Sequence, residues 1–103
     1  MSDEYIVKIK NKNCDFFIEK IQKSPLVSYK KPDHIALKDP KSGSTWIYDV
    51  RIFKESEDTL FLEITTPTHE LFKSIQKALS GTDYLITEYD GDETITLSKI
   101  FRI

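Results

Sequence analysis

Trp46-Ile47-Tyr48-Asp49-Val50-Arg51-Ile52-Phe53, then Glu55-Ser56-Glu57-Asp58, then Leu60-Phe61-Leu62-Glu63-Ile64 is the stretch whose reading decides the fold. In the first segment Trp46, Tyr48, Val50 and Ile52 alternate with Ile47, Asp49, Arg51 and Phe53, the period of two that belongs to a β-strand. Apolar groups on both faces predict a central strand. The acidic tetrapeptide has the composition of a turn, and Leu60, Leu62 and Ile64 alternate with Phe61 and Glu63 as an antiparallel partner requires. On the other side, His34-Ile35-Ala36-Leu37-Lys38 ends at Asp39-Pro40-Lys41-Ser42-Gly43, a run rich in turn formers. The three segments together predict a meander.

Working outward, Tyr5, Val7 and Ile9 alternate with Ile6, Lys8 and Lys10, which predicts a first strand. Asn13 is a helix cap, and Cys14, Phe17, Ile18 and Ile21 fall on one helical face until Ser24-Pro25 stops it, so a helix is expected over 13–24. Tyr29 to Asp33, with lysines and a proline, reads as a connector. Downstream, Thr66-Pro67 reads as a cap followed by proline, Glu70 suits the positive end of a helix dipole, and Leu71, Phe72, Ile75 and Leu79 form one stripe. Gly81 stands where a left-handed C-terminal cap belongs. Tyr84 to Tyr89 and Glu93 to Leu97 read as a last hairpin around Asp90-Gly91. Ile100 to Ile103 fits either a strand extension or a helical turn. The expected class is α+β: strand, helix, three-strand meander, helix, hairpin, with the helices packed on a mainly antiparallel sheet.

At 103 residues with 39% hydrophobic and 31% charged side chains, the chain has the size and balance of one globular domain, residues 1–103. Its longest apolar run is three residues, and Met1-Ser2-Asp3-Glu4 precedes no apolar segment, so a membrane partner and a secretory leader are not expected. Cys14, the only cysteine, rules out an internal disulfide and fits a reducing cytoplasm.

Chemical signatures are sparse. Gly43, Gly81 and Gly91 each stand alone at a turn, which excludes a glycine-rich phosphate loop. Cys14, His34 and His69 fall in separate elements, which fits neither zinc spacing nor a thiol nucleophile with its base. The carboxylates Glu55, Glu57 and Asp58, and again Glu88, Asp90, Asp92 and Glu93, sit at predicted turns, where they stay hydrated and lack the shaped cleft that catalytic pairs need. No cofactor, metal or catalytic residue is expected.

Charge is unevenly distributed along the chain. Residues 1–54 carry eleven Lys and Arg against seven Asp and Glu, and residues 55–103 carry four against ten. If the two acidic turns share one side of the sheet, with Glu63 beside them, they form a surface that repels nucleic acid and attracts a basic protein. Trp46 and Tyr48, read as neighbours on one strand face, are the candidate apolar anchors.

The run Trp46 to Ile52, the segment Phe61-Leu62-Glu63-Ile64-Thr65-Thr66-Pro67 leading into a helix, and the ending Thr96-Leu97-Ser98-Lys99-Ile100-Phe101-Arg102-Ile103 resemble immunity proteins of bacterial contact-dependent growth inhibition and related polymorphic-toxin systems. The resemblance implies a cytosolic protein that binds a cognate toxin domain and blocks its active site; a nuclease toxin would present a basic surface to the acidic residues above. It transfers no functional residue by position. Two other classes stand beside it: a nucleic-acid-binding or regulatory module using Lys8, Lys10, Lys12, Lys30, Lys31, Lys38 and Lys41, and a small enzyme built around His34, His69 or the carboxylates.

Overall fold

A computed structural model describes residues 2–103. Among them are seven strands and three helices in the order β1 (Asp3–Ile9), α1 (Cys14–Ile21), β2 (Val27–Lys31), β3 (His34–Leu37), β4 (Val50–Lys54), β5 (Thr59–Ile64), α2 (His69–Leu79), β6 (Tyr84–Glu88), β7 (Thr94–Ile95) and α3 (Leu97–Ile100). The strands form one sheet of order β2-β3-β4-β5-β1-β6-β7, antiparallel at every junction. The class is α+β with an antiparallel sheet, and β3, β4 and β5 are the meander.

Alternation decides which face is covered. Val7 and Ile9, Ile35 and Leu37, Val50 and Ile52, Leu60, Leu62 and Ile64, and Ile86 all point to one side and are buried there. Against them pack Cys14, Phe17 and Ile21 of α1, Leu71, Ile75 and Leu79 of α2, and Leu97 and Ile100 of α3. Each helix begins on a side-chain cap that satisfies an orphan backbone N–H: Asn13 accepts from Phe16, Thr68 from Leu71 and Thr96 from Lys99. Gly81, at φ +88°, follows α2 in the left-handed conformation its position demands. No helix among the described residues is long and apolar enough to cross a membrane.

The structure departs from the expected elements at four places. Tyr29 to Asp33, read as a connector, holds the second half of an edge strand, Val27–Lys31, and its turn through Pro32-Asp33 into β3. The strand's polar Ser28, Lys30 and Lys31 hide the alternation, and charge on an edge discourages pairing with another chain. The meander's long arm starts at Val50, because Asp49 is diverted into a loop. The Asp39–Gly43 turn is accordingly one part of a 12-residue connection over 38–49. The second helix caps at Thr68 and not at Thr66. The last hairpin pairs only Ile86–Ile95 and Thr87–Thr94, and the chain then turns into α3, which resolves the open alternative at the C-terminus.

The 38–49 loop is organised by two buried carboxylates. Asp49 is 0% exposed; its Oδ2 accepts the Asp39 backbone N–H at 2.9 Å, and its Oδ1 lies 3.5 Å from the Lys38 ammonium. Its carbonyl accepts from the Thr65 backbone and hydroxyl at 2.8 and 3.0 Å, pinning the loop to the end of β5. Asp39 in turn accepts from the Lys41 backbone at 2.9 Å. That bond, with one from the Thr68 hydroxyl, holds its carboxyl below the ordinary aspartate pKa.

Replacing Asp49 with Ala leaves the Asp39 N–H without its acceptor and the Lys38 ammonium without its counter-charge, held only by the Ser44 carbonyl and the Ser42 hydroxyl, with an expected loss of about 2 kcal/mol in urea unfolding. For Asp39 the folded carboxyl is the stronger acid, so its contribution is complete above the unfolded aspartate pKa and disappears as pH falls through the folded value. Asp39→Asn should therefore flatten the acid limb of a urea-midpoint against pH profile, and an unchanged limb would show that this carboxyl is not a source of it.

Candidate functional site

The face of the sheet turned away from the helices carries an aromatic surface. Pairing brings Lys31, His34, Phe53, Phe61, Ile6 and Thr87 into one register row across β2, β3, β4, β5, β1 and β6. The next row contains Tyr29, Ala36, Arg51, Glu63 and Glu4. Phe53, Phe61 and Ile6 are half-buried, held by cross-strand neighbours and uncovered by any helix.

Ring contacts run unbroken across this face. Tyr29 meets His34 at 5.5 Å between centroids, His34 stacks on Phe53 at 4.7 Å, Phe53 meets Phe61 edge-on at 5.7 Å, and Phe61 meets Tyr89 at 5.5 Å. The Arg51 guanidinium lies 4.3 Å from the Tyr48 ring centre and 5.4 Å from that of Phe53, while its Nε donates to Glu63 at 2.5 Å. Trp46 touches Tyr48 edge-on at 6.0 Å. Trp46 and Ile47, in the second half of the 38–49 loop, are 61% and 71% exposed, and Tyr89 at the far side is 58% exposed. Ile6, Phe53, Phe61 and Tyr89, with Glu55 and Thr59, enclose a shallow depression of about 420 Å³.

Trp46 and Tyr48 are neighbours, though not on a shared strand face as the sequence pattern implied. Tyr48 is 8% exposed and roots the loop beneath Arg51, leaving Trp46 and Ile47 to project.

The two acidic turns lie at opposite ends of the sheet. Asp58 receives the Ile9 N–H through its carbonyl, and Tyr89 donates its N–H to Glu4, so the turns lie at opposite ends of β1, roughly 17 Å apart. Glu57 and Asp58 sit in a hollow with Lys8, Lys10 and Lys12, which cancels their charge locally. The Asp58 carboxyl accepts from the Ser56 and Thr59 hydroxyls, which lower its pKa and make it a turn-forming group. Glu55 borders the aromatic depression. At the other end Glu88 closes β6 and Asp90, Asp92 and Glu93 follow it, beside Asp3 and Glu4 of β1, with Arg102 3.8 Å from Asp3. The 38–49 loop leaves the sheet at this same end, since Val50 pairs with Ile64 and Ile64 with Asp3. Trp46, Tyr48, Glu63, Glu88, Asp90, Asp92 and Glu93 thus share one end, while Glu55, Glu57 and Asp58 occupy the other.

From sequence alone Phe53, Phe61 and Tyr89 suit either core or contact, and Arg51 and the exposed Ile47 are not among the expected contacts. For Arg51 and Phe53 the signal was the apolar groups on both faces of the 50–53 segment, which mark one core face and one open aromatic face; Phe61 continues that open face on β5.

Groups with chemical potential are otherwise engaged. Cys14 is fully buried at the start of α1, and burial pushes its thiol up to about 11, far from a thiolate at neutral pH. His34 has Asp33 on Nδ1 at 2.8 Å and the Tyr29 hydroxyl 3.3 Å from Nε2. His69 is exposed at the first turn of α2. Among the described residues no three His, Cys, Asp or Glu side chains are grouped as metal ligands would be. Comparison of the chain with protein-family models, curated protein sequences and solved structures returned no match.

The different burial of the two loop aromatics has a direct test. Trp46→Ala should change stability by less than about 0.5 kcal/mol, and Tyr48→Ala should cost about 3 kcal/mol, both by denaturant unfolding. A comparable large loss for Trp46→Ala would make it a structural residue and withdraw it from the surface.

Proposed function

We propose that this chain is a binding protein that docks a basic protein domain on the open face of its sheet, acting as an immunity protein that occludes a cognate toxin. The observation that carries the reading is the continuous path Trp46–Tyr48–Arg51–Phe53–Phe61–Tyr89 along the open face, exposed at Trp46 and Tyr89, half-buried between them apart from the buried Tyr48, and adjacent at one end to Glu88, Asp90, Asp92 and Glu93. Interfaces draw most of their energy from aromatic and arginine anchors at the centre of a desolvated patch, and charge at the rim sets approach rate and partner choice. Here Trp46 and Ile47 are the protruding anchors, the shallow depression receives an apolar group, and the acidic end meets the partner's cations. The resemblance to toxin-immunity proteins agrees with this division of labour, since occlusion requires a surface and no reaction.

Aromatic side chains on an antiparallel sheet also suit stacked bases, which favours a second reading as a single-stranded nucleic-acid platform. The charge on the face weighs against it. Arg51 is committed to Glu63, and the carboxylates Glu4, Glu55 and Glu63 surround the aromatics together with the cations Lys8 and Lys31. A phosphate chain would meet as much repulsion as attraction there.

The primary test is capture of tagged protein from its native cell, with a high-salt wash and mass spectrometry of what stays bound; the expected result is a stoichiometric basic domain. Trp46→Ala should then weaken that complex by about 30-fold, and Asp90→Lys with Asp92→Lys and Glu93→Lys should mainly slow association and abolish toxin neutralisation. Neutralisation that survives both changes removes this face from the interface, and recovery of nucleic acid in place of a protein transfers the assignment to the second reading.

A further inference from the structure

We propose that the groove between α1 and α2, on the helical layer opposite the open face, is a binding site for a small anion bearing several phosphate charges. The groove encloses about 560 Å³, a size suited to a small molecule, and its walls bring together Lys20, Lys23, Lys73 and Lys77 with Ser24 and Ser74. Glu70 is the one carboxylate lining it. In a chain of net charge −2, this concentration of cations is a local reversal of sign.

The lysines have no counter-ions: none of the four takes part in an ion pair among the described residues. Lys73 and Lys77 are one turn apart on α2, a spacing at which like charges destabilise a helix, and Lys20 and Lys23 face them from the end of α1 and the turn after it. An anion between the helices relieves both repulsions. Lys20 is held in place, since its Nζ donates to the Ser80 carbonyl at 2.6 Å and sits 4.3 Å from the Phe16 ring centre. The remaining donors of that ammonium stay free for a phosphate oxygen.

The two serines supply directional contacts. Ser24 Oγ accepts the Leu26 N–H at 3.1 Å and lies 3.1 Å from Ser74 Oγ, linking the segment after α1 to α2. Between these hydroxyls one proton is used in their mutual bond, and the other is available to an acceptor in the groove. A compact phosphate ester or polyphosphate satisfies that donor and the lysines together. Lys12 shares the Phe16 ring with Lys20, but beyond it Lys8, Lys10 and Lys12 line a hollow with Glu57 and Asp58, so a longer nucleic-acid backbone leaving the groove on that side meets carboxylates.

The test is calorimetric titration of the intact protein with inorganic tripolyphosphate at low and moderate salt. Saturable one-to-one binding is expected, weakened by salt, reduced at least tenfold by Lys73→Gln with Lys77→Gln, and restored by Lys73→Arg with Lys77→Arg. Lys8→Gln with Lys10→Gln, which removes the same charge elsewhere, should change affinity by less than about twofold. Both pairs are exposed, so thermal melts verify that each variant is folded. Absence of saturable binding overturns the proposal, as does an equal loss in the Lys8 and Lys10 variant. A short single-stranded DNA that binds here and is not displaced by tripolyphosphate overturns it in favour of a polymer.

Discussion

Three short helices have to cover a sheet of seven strands, and they cover one face only. At the usual strand spacing a seven-stranded sheet is roughly 29 Å wide, while helices α1 and α2 are about 12 and 16 Å long. The helical layer therefore buries one set of alternating side chains and leaves the other set to water. Every strand must consequently carry two different surfaces. Val50 and Ile52 belong to the core, and Arg51 and Phe53, one residue away, belong to the exposed side. A one-residue slip of register would exchange the two, and the apolar loss on the covered side is what prevents it.

The open side is neither a random polar surface nor a second core. Its rings support one another across strands, its arginine is neutralised by Glu63, and its rim carries charge of both signs. Such a face is stable as a half-buried surface and retains apolar area that a partner can still desolvate. The 38–49 loop extends it beyond the sheet edge. Two buried carboxylates fix that loop from within, so the exposed Trp46 and Ile47 are carried on a braced support, and little ordering entropy would oppose the docking proposed for them.

Much of the fold was legible because strong periods and caps coincided. Asn13, Gly81 and the alternations at Val7–Ile9, Val50–Ile52 and Leu60–Ile64 each announced an element that is present. Val27–Lys31 was illegible because an edge strand with solvent on its free side requires few apolar residues, and lysines there read as a linker. The Trp46–Asp49 segment misled in the opposite way, since a buried carboxylate overrode an apparent strand period. For the proposed site, Trp46 is a residue the sequence singled out and the structure leaves exposed, yet charge counted along the sequence gave a false geography. β1 comes from the basic half and lies between β5 and β6 of the acidic half, so Lys8 and its neighbours meet Glu57 and Asp58 in space.

The placement of β1 also governs how the molecule is made. Ile9 pairs with Tyr84 and Tyr5 with Glu88, contacts separated by most of the chain. Loop closure over such spans is slow, and on a ribosome the first strand emerges long before either of its neighbours exists. The β2–β3–β4 hairpins can form early because their partners are adjacent in sequence, while Ile6 reaches its place between Phe61 and Thr87 only when the sheet is complete. The surface to which Ile6 contributes is thus a late product of folding, and a nascent or truncated chain lacks it.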